Sequence, residues 1–93
     1  MPITKVAVEL SNGMKDTFYY PSNVVLEYIK EIEYPLHDFI TLAIKSLNAA
    51  QDRVLKKYGH QCIGCFIIQK RLNDWQKELD SSLTVLVEEI SKY

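Results

Sequence analysis

The sequence predicts an α+β fold, a small antiparallel three-stranded sheet with helices packed on one face. Three observations predict it. Two strand-like stretches flank Ser11-Asn12-Gly13, the signature of a hairpin. Two later segments, one opening at Pro35 and one at Gln61, repeat apolar residues every three or four positions, as amphipathic helices do. The last stretch, residues 83–90, is rich in β-branched and aliphatic residues with a period of two. The order strand, strand, helix, helix, helix, strand is resolved most economically when the helices cover the apolar face of the sheet. With 93 residues, the expectation is one domain, residues 1–93.

The hairpin comes first. Its strands are expected over residues 3–10 and 14–20. A two-residue Asn-Gly loop would set Leu10 opposite Lys15, whereas a three-residue loop sets Leu10 opposite Met14, Val8 opposite Asp16, Val6 opposite Phe18 and Thr4 opposite Tyr20. Slipping by one residue flips a strand's face, so the apolar pattern decides. Only the three-residue loop gathers Val6, Val8, Leu10, Met14, Phe18 and Tyr20 on one side, with Gly13 in the left-handed conformation that closes such a loop. Asp16 is the misfit on that side. Pro21 ends the second strand because it cannot donate to a ladder.

Ser22 reads as an N-cap for a short helix over residues 23–32, with Val25, Ile29 and Ile32 at helical spacing. A long helix follows over residues 35–58, with Pro35 as its first residue and Gly59 just past its end. Leu36, Phe39, Ile40, Ala43, Leu47, Ala50, Val54 and Tyr58 form its apolar face. Its length leaves two readings open, a helix laid diagonally across the sheet or one whose end docks on another subunit. A third helix spans residues 61–79, with the stripe Cys65, Ile68, Leu72, Trp75 and Leu79. Ile63, Phe66 and Ile67 fall on another side, so its first half is apolar nearly all round. The final strand is expected beside the first. Leu83, Val85 and Val87 lie on one face, and Leu86 and Ile90 join Ala7 and Tyr19 on the other.

Composition narrows the function classes. The chain is 47% hydrophobic and 25% charged, with a formal net charge of −1. That excludes a disordered or low-complexity chain and speaks against a nucleic-acid partner, which calls for a surplus of Lys and Arg. The basic pairs Lys56-Lys57 and Lys70-Arg71 read as solvated helix faces. No apolar run reaches the ~18 residues of a membrane span, and Met1-Pro2-Ile3-Thr4-Lys5-Val6 carries no leader pattern. The expectation is therefore a cytoplasmic protein with no membrane partner.

No catalytic set emerges. The serines lie in turns, caps or helix faces with no glycine-rich elbow, no glycine loop cradles a phosphate, and no cofactor motif is present. His37 and the acidic pairs Glu31/Glu33 and Glu88/Glu89 read as solvated. The exception is His60-Gln61-Cys62-Ile63-Gly64-Cys65, two cysteines three apart at a helix start. Buried unreactive thiols are the first reading. A redox dithiol, activated by the helix dipole and His60, is the second. A metal site is the third, short of the four ligands that structural zinc wants. Arg53 borders the apolar face of the long helix and is expected to hydrogen-bond strand or loop carbonyls, or to meet an anion or partner. The tyrosines, including Tyr20, Tyr34 and Tyr58, suit a core or an interface.

Several of these residues together resemble a small bacterial family named for a nitrogen-starvation response. They are Asn12-Gly13, Tyr19-Tyr20-Pro21-Ser22, Val24-Val25, Tyr34-Pro35-Leu36 with Phe39, Ala50-Gln51-Asp52-Arg53-Val54, then Tyr58-Gly59 and Cys62. The resemblance implies a setting, a gene cluster with a nitrilase that assimilates nitrile or cyanide nitrogen, and no catalytic role. Cys62 fits the family pattern, while the position of Cys65 usually carries another small residue there.

The functional expectation is a non-enzymatic accessory or interaction protein, a homo-oligomer or a companion of enzymes from that cluster. Tyr20, Tyr34, Arg53, Tyr58, Cys62, Ile63, Phe66 and Ile67 are its candidate pocket or interface residues. The alternatives are a small-molecule-binding module with Tyr20, Arg53 and Cys62 at the wall of a pocket between sheet and helices, and a small enzyme with Cys62 as nucleophile.

Overall fold

The hairpin register follows from the three-residue loop. In the computed structural model, which describes residues 3–59 and 61–92, strand β1 (Thr4–Leu10) pairs antiparallel with β2 (Lys15–Tyr20). Thr4 faces Tyr20, Val6 faces Phe18 and Val8 faces Asp16. The Leu10 N–H donates to the Met14 carbonyl at 2.7 Å, and Gly13 takes φ 92°, where a side chain would be strained.

Among the described residues the sheet has four strands, not three, in the order β2-β1-β4-β3. The additional strand, β3 (Glu33–Pro35), pairs with β4 (Thr84–Lys92) and forms the edge opposite β2. Three residues are too few to display a period of two, so this strand leaves no signature in the sequence. Pro35 tolerates an edge position because its missing N–H costs no ladder bond there. It is also the cap of α1 (Leu36–Tyr58) rather than its first residue, with ψ at 146°.

The helix expected over residues 23–32 is also corrected. Ser22 does cap the segment, its Oγ accepting from the Val24 N–H at 3.2 Å. The helix is a single 3₁₀ stretch, Asn23–Glu27. Val24, Val25 and Ile29 are buried, while Ile32 is 52% exposed. The β-branched pair at its start disfavours a longer α-helix, and the chain is claimed instead by β4, whose Val87 N–H donates to the Ile32 carbonyl at 3.0 Å.

The last strand lies beside the first, as expected, but carries a bulge. Val8 faces Val87 and Leu10 faces Val85, yet beyond the bulge Val6 faces Ile90. The residue between, Glu88, is the extra one, and it switches the parity of the strand. Ile90 therefore sits against the core with Val85 and Val87 instead of sharing the outer face with Leu86.

One face of the sheet holds Val6, Val8, Leu10, Phe18, Tyr20, Val85 and Val87, all buried in a single cluster with the helices. Helix α1 contributes Leu36, Phe39, Ile40, Ala43, Leu47, Ala50 and Val54, and ends at Gly59 in the left-handed conformation. Its 23 residues run about 35 Å, nearly the 39 Å long dimension of the molecule. The helix thus runs nearly the full length of the molecule. Helix α2 (Ile63–Glu78) adds Cys65, Ile68, Leu72 and Trp75. The Trp75 ring meets Phe18 edge-on at 5.3 Å and lies 6.3 Å from Phe39, the tilted geometries that aromatic quadrupoles favour.

Candidate functional site

The turn between α1 and α2 builds one end of the molecule. Cys62 caps α2 in an extended conformation, and its Sγ accepts the Cys65 N–H at 3.1 Å. Cys62 and Cys65 are joined in a disulfide, with Cα atoms 5.3 Å apart. This corrects the reading of two free buried thiols. Spacing made the pairing available, since one helical turn brings residues three apart into reach. His60, expected to assist the first thiol, lies outside the described residues.

Beside the disulfide runs a groove of about 310 Å³, walled by Ile3, Tyr19, Pro21, Val54, Cys62 and Ile63. Among the described residues no charged side chain lines it, and Gln61 lies at its wall as well. Pro21 and Val54 also wall a smaller groove of about 150 Å³, where Arg53, Lys57 and Tyr58 meet Ser22. Among the described residues Arg53 is seen with a carboxylate rather than a carbonyl. Its guanidinium stands 3.5 Å from the Glu27 carboxylate, with both side chains more than half exposed, an arrangement worth little stability in water. The Lys57 ammonium lies 5.5 Å from the Tyr58 ring centroid.

On the outer side of α2 stand Ile63, Phe66 and Ile67, at 77%, 67% and 58% exposure. Their i, i+3, i+4 spacing makes them one stripe. With Tyr19, at 47% exposure, they give this end an exposed apolar surface.

The structure thus brings together Arg53, Tyr58, Cys62, Ile63, Phe66 and Ile67 around two adjoining grooves and one helix face. Tyr20 and Tyr34 stand apart. Tyr20 is buried, and its hydroxyl lies 3.2 Å from Ser46 Oγ, which donates to the Ala43 carbonyl at 2.7 Å. Burial pushes the Tyr20 hydroxyl up to about 12, against a smaller opposing effect of the Ser46 hydrogen bond. Tyr20 lines neither groove. Tyr34 sits on β3, where its hydroxyl accepts the Lys30 N–H at 2.9 Å and its ring lies 6.4 Å from Phe39.

Sequence reasoning missed Ile3, Pro21 and Lys57 as groove residues, because only the tertiary fold carries β2 past the end of α1. It also misjudged Arg71, read as solvated. Arg71 donates to Asp16 Oδ1 at 3.0 Å and to the Thr17 carbonyl at 2.9 Å, and it covers the Phe18 ring at 5.2 Å. The signal was present, since an acid at a core-facing position of the hairpin needs a cation, and Arg71 supplies it.

Among the described residues no three His, Cys, Asp or Glu side chains converge as metal ligands, and no helix is long and apolar enough to cross a membrane. A family model described as nitrogen starvation-induced protein NitG matches residues 5–90. The chain belongs to the NitG family. Comparison with curated proteins and with solved structures gives no significant match. The NitG match takes in the disulfide, the stripe on α2 and both grooves, with Ile3 the one groove residue outside it.

Proposed function

We propose that this NitG-family chain is a non-catalytic interaction protein of the nitrogen-starvation response that pairs with a second copy of itself through α2. The observation that carries the proposal is the stripe Ile63, Phe66 and Ile67, each more than half exposed. Burying one such side chain is worth about 1.5–3 kcal/mol, so a surface holding three of them favours association. The stripe carries no charge, which favours a like partner. A two-fold axis brings identical groups together, and an uncharged patch meets its copy without repulsion. Enzymes encoded with a nitrilase are the further partners that the sequence resemblance favours, and the cytoplasm is the matching location.

Light scattering across a concentration series tests the pairing. The expected result is a dimer for the natural chain and a monomer for Phe66→Asp, with an unchanged near-ultraviolet circular dichroism spectrum. A natural chain that stays monomeric at every concentration, or a Phe66→Asp variant that dimerises equally well, overturns it. The second reading, a small-ligand module, draws on the groove at Arg53, Lys57 and Tyr58. Its roughly 150 Å³ falls below the ~300 Å³ at which ligand pockets begin, and the adjoining groove at Cys62, about 310 Å³, stands at that bound.

A further inference from the structure

We infer that Cys62 and Cys65 form a redox-active pair that exchanges with a disulfide flanked by apolar residues in another polypeptide. Three observations meet here. The first is the disulfide itself, across one turn at the start of α2. In the cytoplasmic setting proposed above, a reducing compartment, disulfides that form are transient and serve catalysis or redox sensing. The second is the asymmetry of the two sulfurs. Cys62 is the cap of the 16-residue α2, its Sγ taking the Cys65 N–H at 3.1 Å. A thiolate at that place gains the same N–H and the positive end of the helix, which favours ionisation. Cys65 lies one turn inside the helix; both residues are buried, Cys62 at 5% and Cys65 at 2% exposure, so the asymmetry is one of position at the helix end. The third is access. The 310 Å³ groove opens on Cys62 and not on Cys65. Its walls of Ile3, Tyr19, Pro21, Val54 and Ile63 suit an apolar chain better than a small charged disulfide such as that of glutathione.

The roles follow. In the reduced protein the Cys62 thiolate attacks one sulfur of the substrate disulfide. A bond forms between Cys62 Sγ and that sulfur, the substrate S–S bond breaks, and the departing thiolate takes up the proton that Cys62 released. Cys65 then loses its proton and attacks Cys62 Sγ. The mixed disulfide breaks, the second substrate sulfur leaves as a thiol, and the Cys62–Cys65 bond is made. Two electrons and two protons pass from the protein dithiol to the substrate disulfide. Cys62 is the attacking group and Cys65 the resolving one. Ile63 belongs both to the groove wall and to the pairing stripe, so exchange belongs to the separated chain.

The test uses the whole chain, dilute, with two probes. These are oxidised glutathione and a synthetic peptide pair joined by one disulfide between apolar flanks. Products are read by intact mass after acid quenching. The natural chain is expected to pass reversibly between dithiol and internal disulfide. Cys65→Ser is expected to accumulate a mixed disulfide at Cys62, and Cys62→Ser to react at least tenfold more slowly. The peptide disulfide is expected to react at least tenfold faster than glutathione disulfide. Exchange in the dilute, unpaired chain is expected whether or not light scattering finds pairing at higher concentration, so a failure of pairing is read separately from a failure of exchange. A natural chain that remains a dithiol with both probes overturns the pair. Equal reactivity of the two serine variants overturns the roles, and equal rates for the two probes overturn the apolar substrate.

Discussion

Tyr20 and Tyr19 are neighbours on β2, and Cys65 and Phe66 are neighbours on α2, yet the members of each pair lie in different regions. Tyr20 and Cys65 belong to the interior between sheet and helices, at 1% and 2% exposure. Tyr19 and Phe66 belong to the apolar end around Cys62, at 47% and 67%. The interior is closed on every side, by paired aromatic rings and by Arg71 over Phe18. The Cys62 end has the same kinds of residue, left in contact with water. Apolar content is therefore no measure of core, because only atoms withdrawn from water contribute to stability. The difference teaches where to look for folding energy and where for association.

The sharpest way to break this distinction is at Phe18. Phe18→Ala opens a cavity against Trp75 and Phe39 and is expected to cost about 3–5 kcal/mol, much of the ~5–15 kcal/mol that holds a domain together. Urea unfolding followed by Trp75 fluorescence measures it, and a loss under ~1 kcal/mol would deny the interior its role.

A smaller effect comes from Tyr20. Its hydroxyl ionises at about 12 when folded and near 10 when unfolded, so the folded chain keeps this proton to higher pH. The stability it contributes is whole below pH 10, falls by about 1.4 kcal/mol per pH unit between 10 and 12, and levels off above. The total is roughly 2–3 kcal/mol. Tyr20→Phe is expected to lose that component of the pH dependence while Tyr19→Phe retains it, as pH-dependent unfolding of the three chains would show.

The smallest effect is expected at the open end. Phe66→Ser, measured where the chain is monomeric, is expected to change unfolding free energy by no more than about 0.5 kcal/mol. A loss like that at Phe18 would mean that Phe66 is packed after all.

Much of the fold was legible because local chemistry specifies it. Gly13 and the alternation around it select one hairpin register, and Gly59 ends a helix whose buried face repeats every three or four residues. The parts that were not legible have a common cause. Glu33, Tyr34 and Pro35 become a strand only because β4 lies alongside them. Ile90 turns inward only because Glu88 bulges against β1. Ile32 is exposed because its backbone is drawn to the sheet before a helix can reach it. Each depends on a neighbour distant in sequence, and no window along the chain contains both partners.

The candidate site divides in the same way. Ile63, Phe66 and Ile67 were visible as a surplus apolar face, and Cys62 and Cys65 as a pair one turn apart, because helical spacing is local. By itself the sequence determined the hairpin, the two helices, and which of their residues could not all be hidden. Only the tertiary structure decided that Tyr20 is core and Arg53 solvent-facing, that Arg71 answers Asp16, and that Ile3, Tyr19 and Pro21 stand beside the disulfide. The reason is physical. Periodicity assigns a side chain to a face, but burial and partnership are set by what the rest of the chain lays across that face.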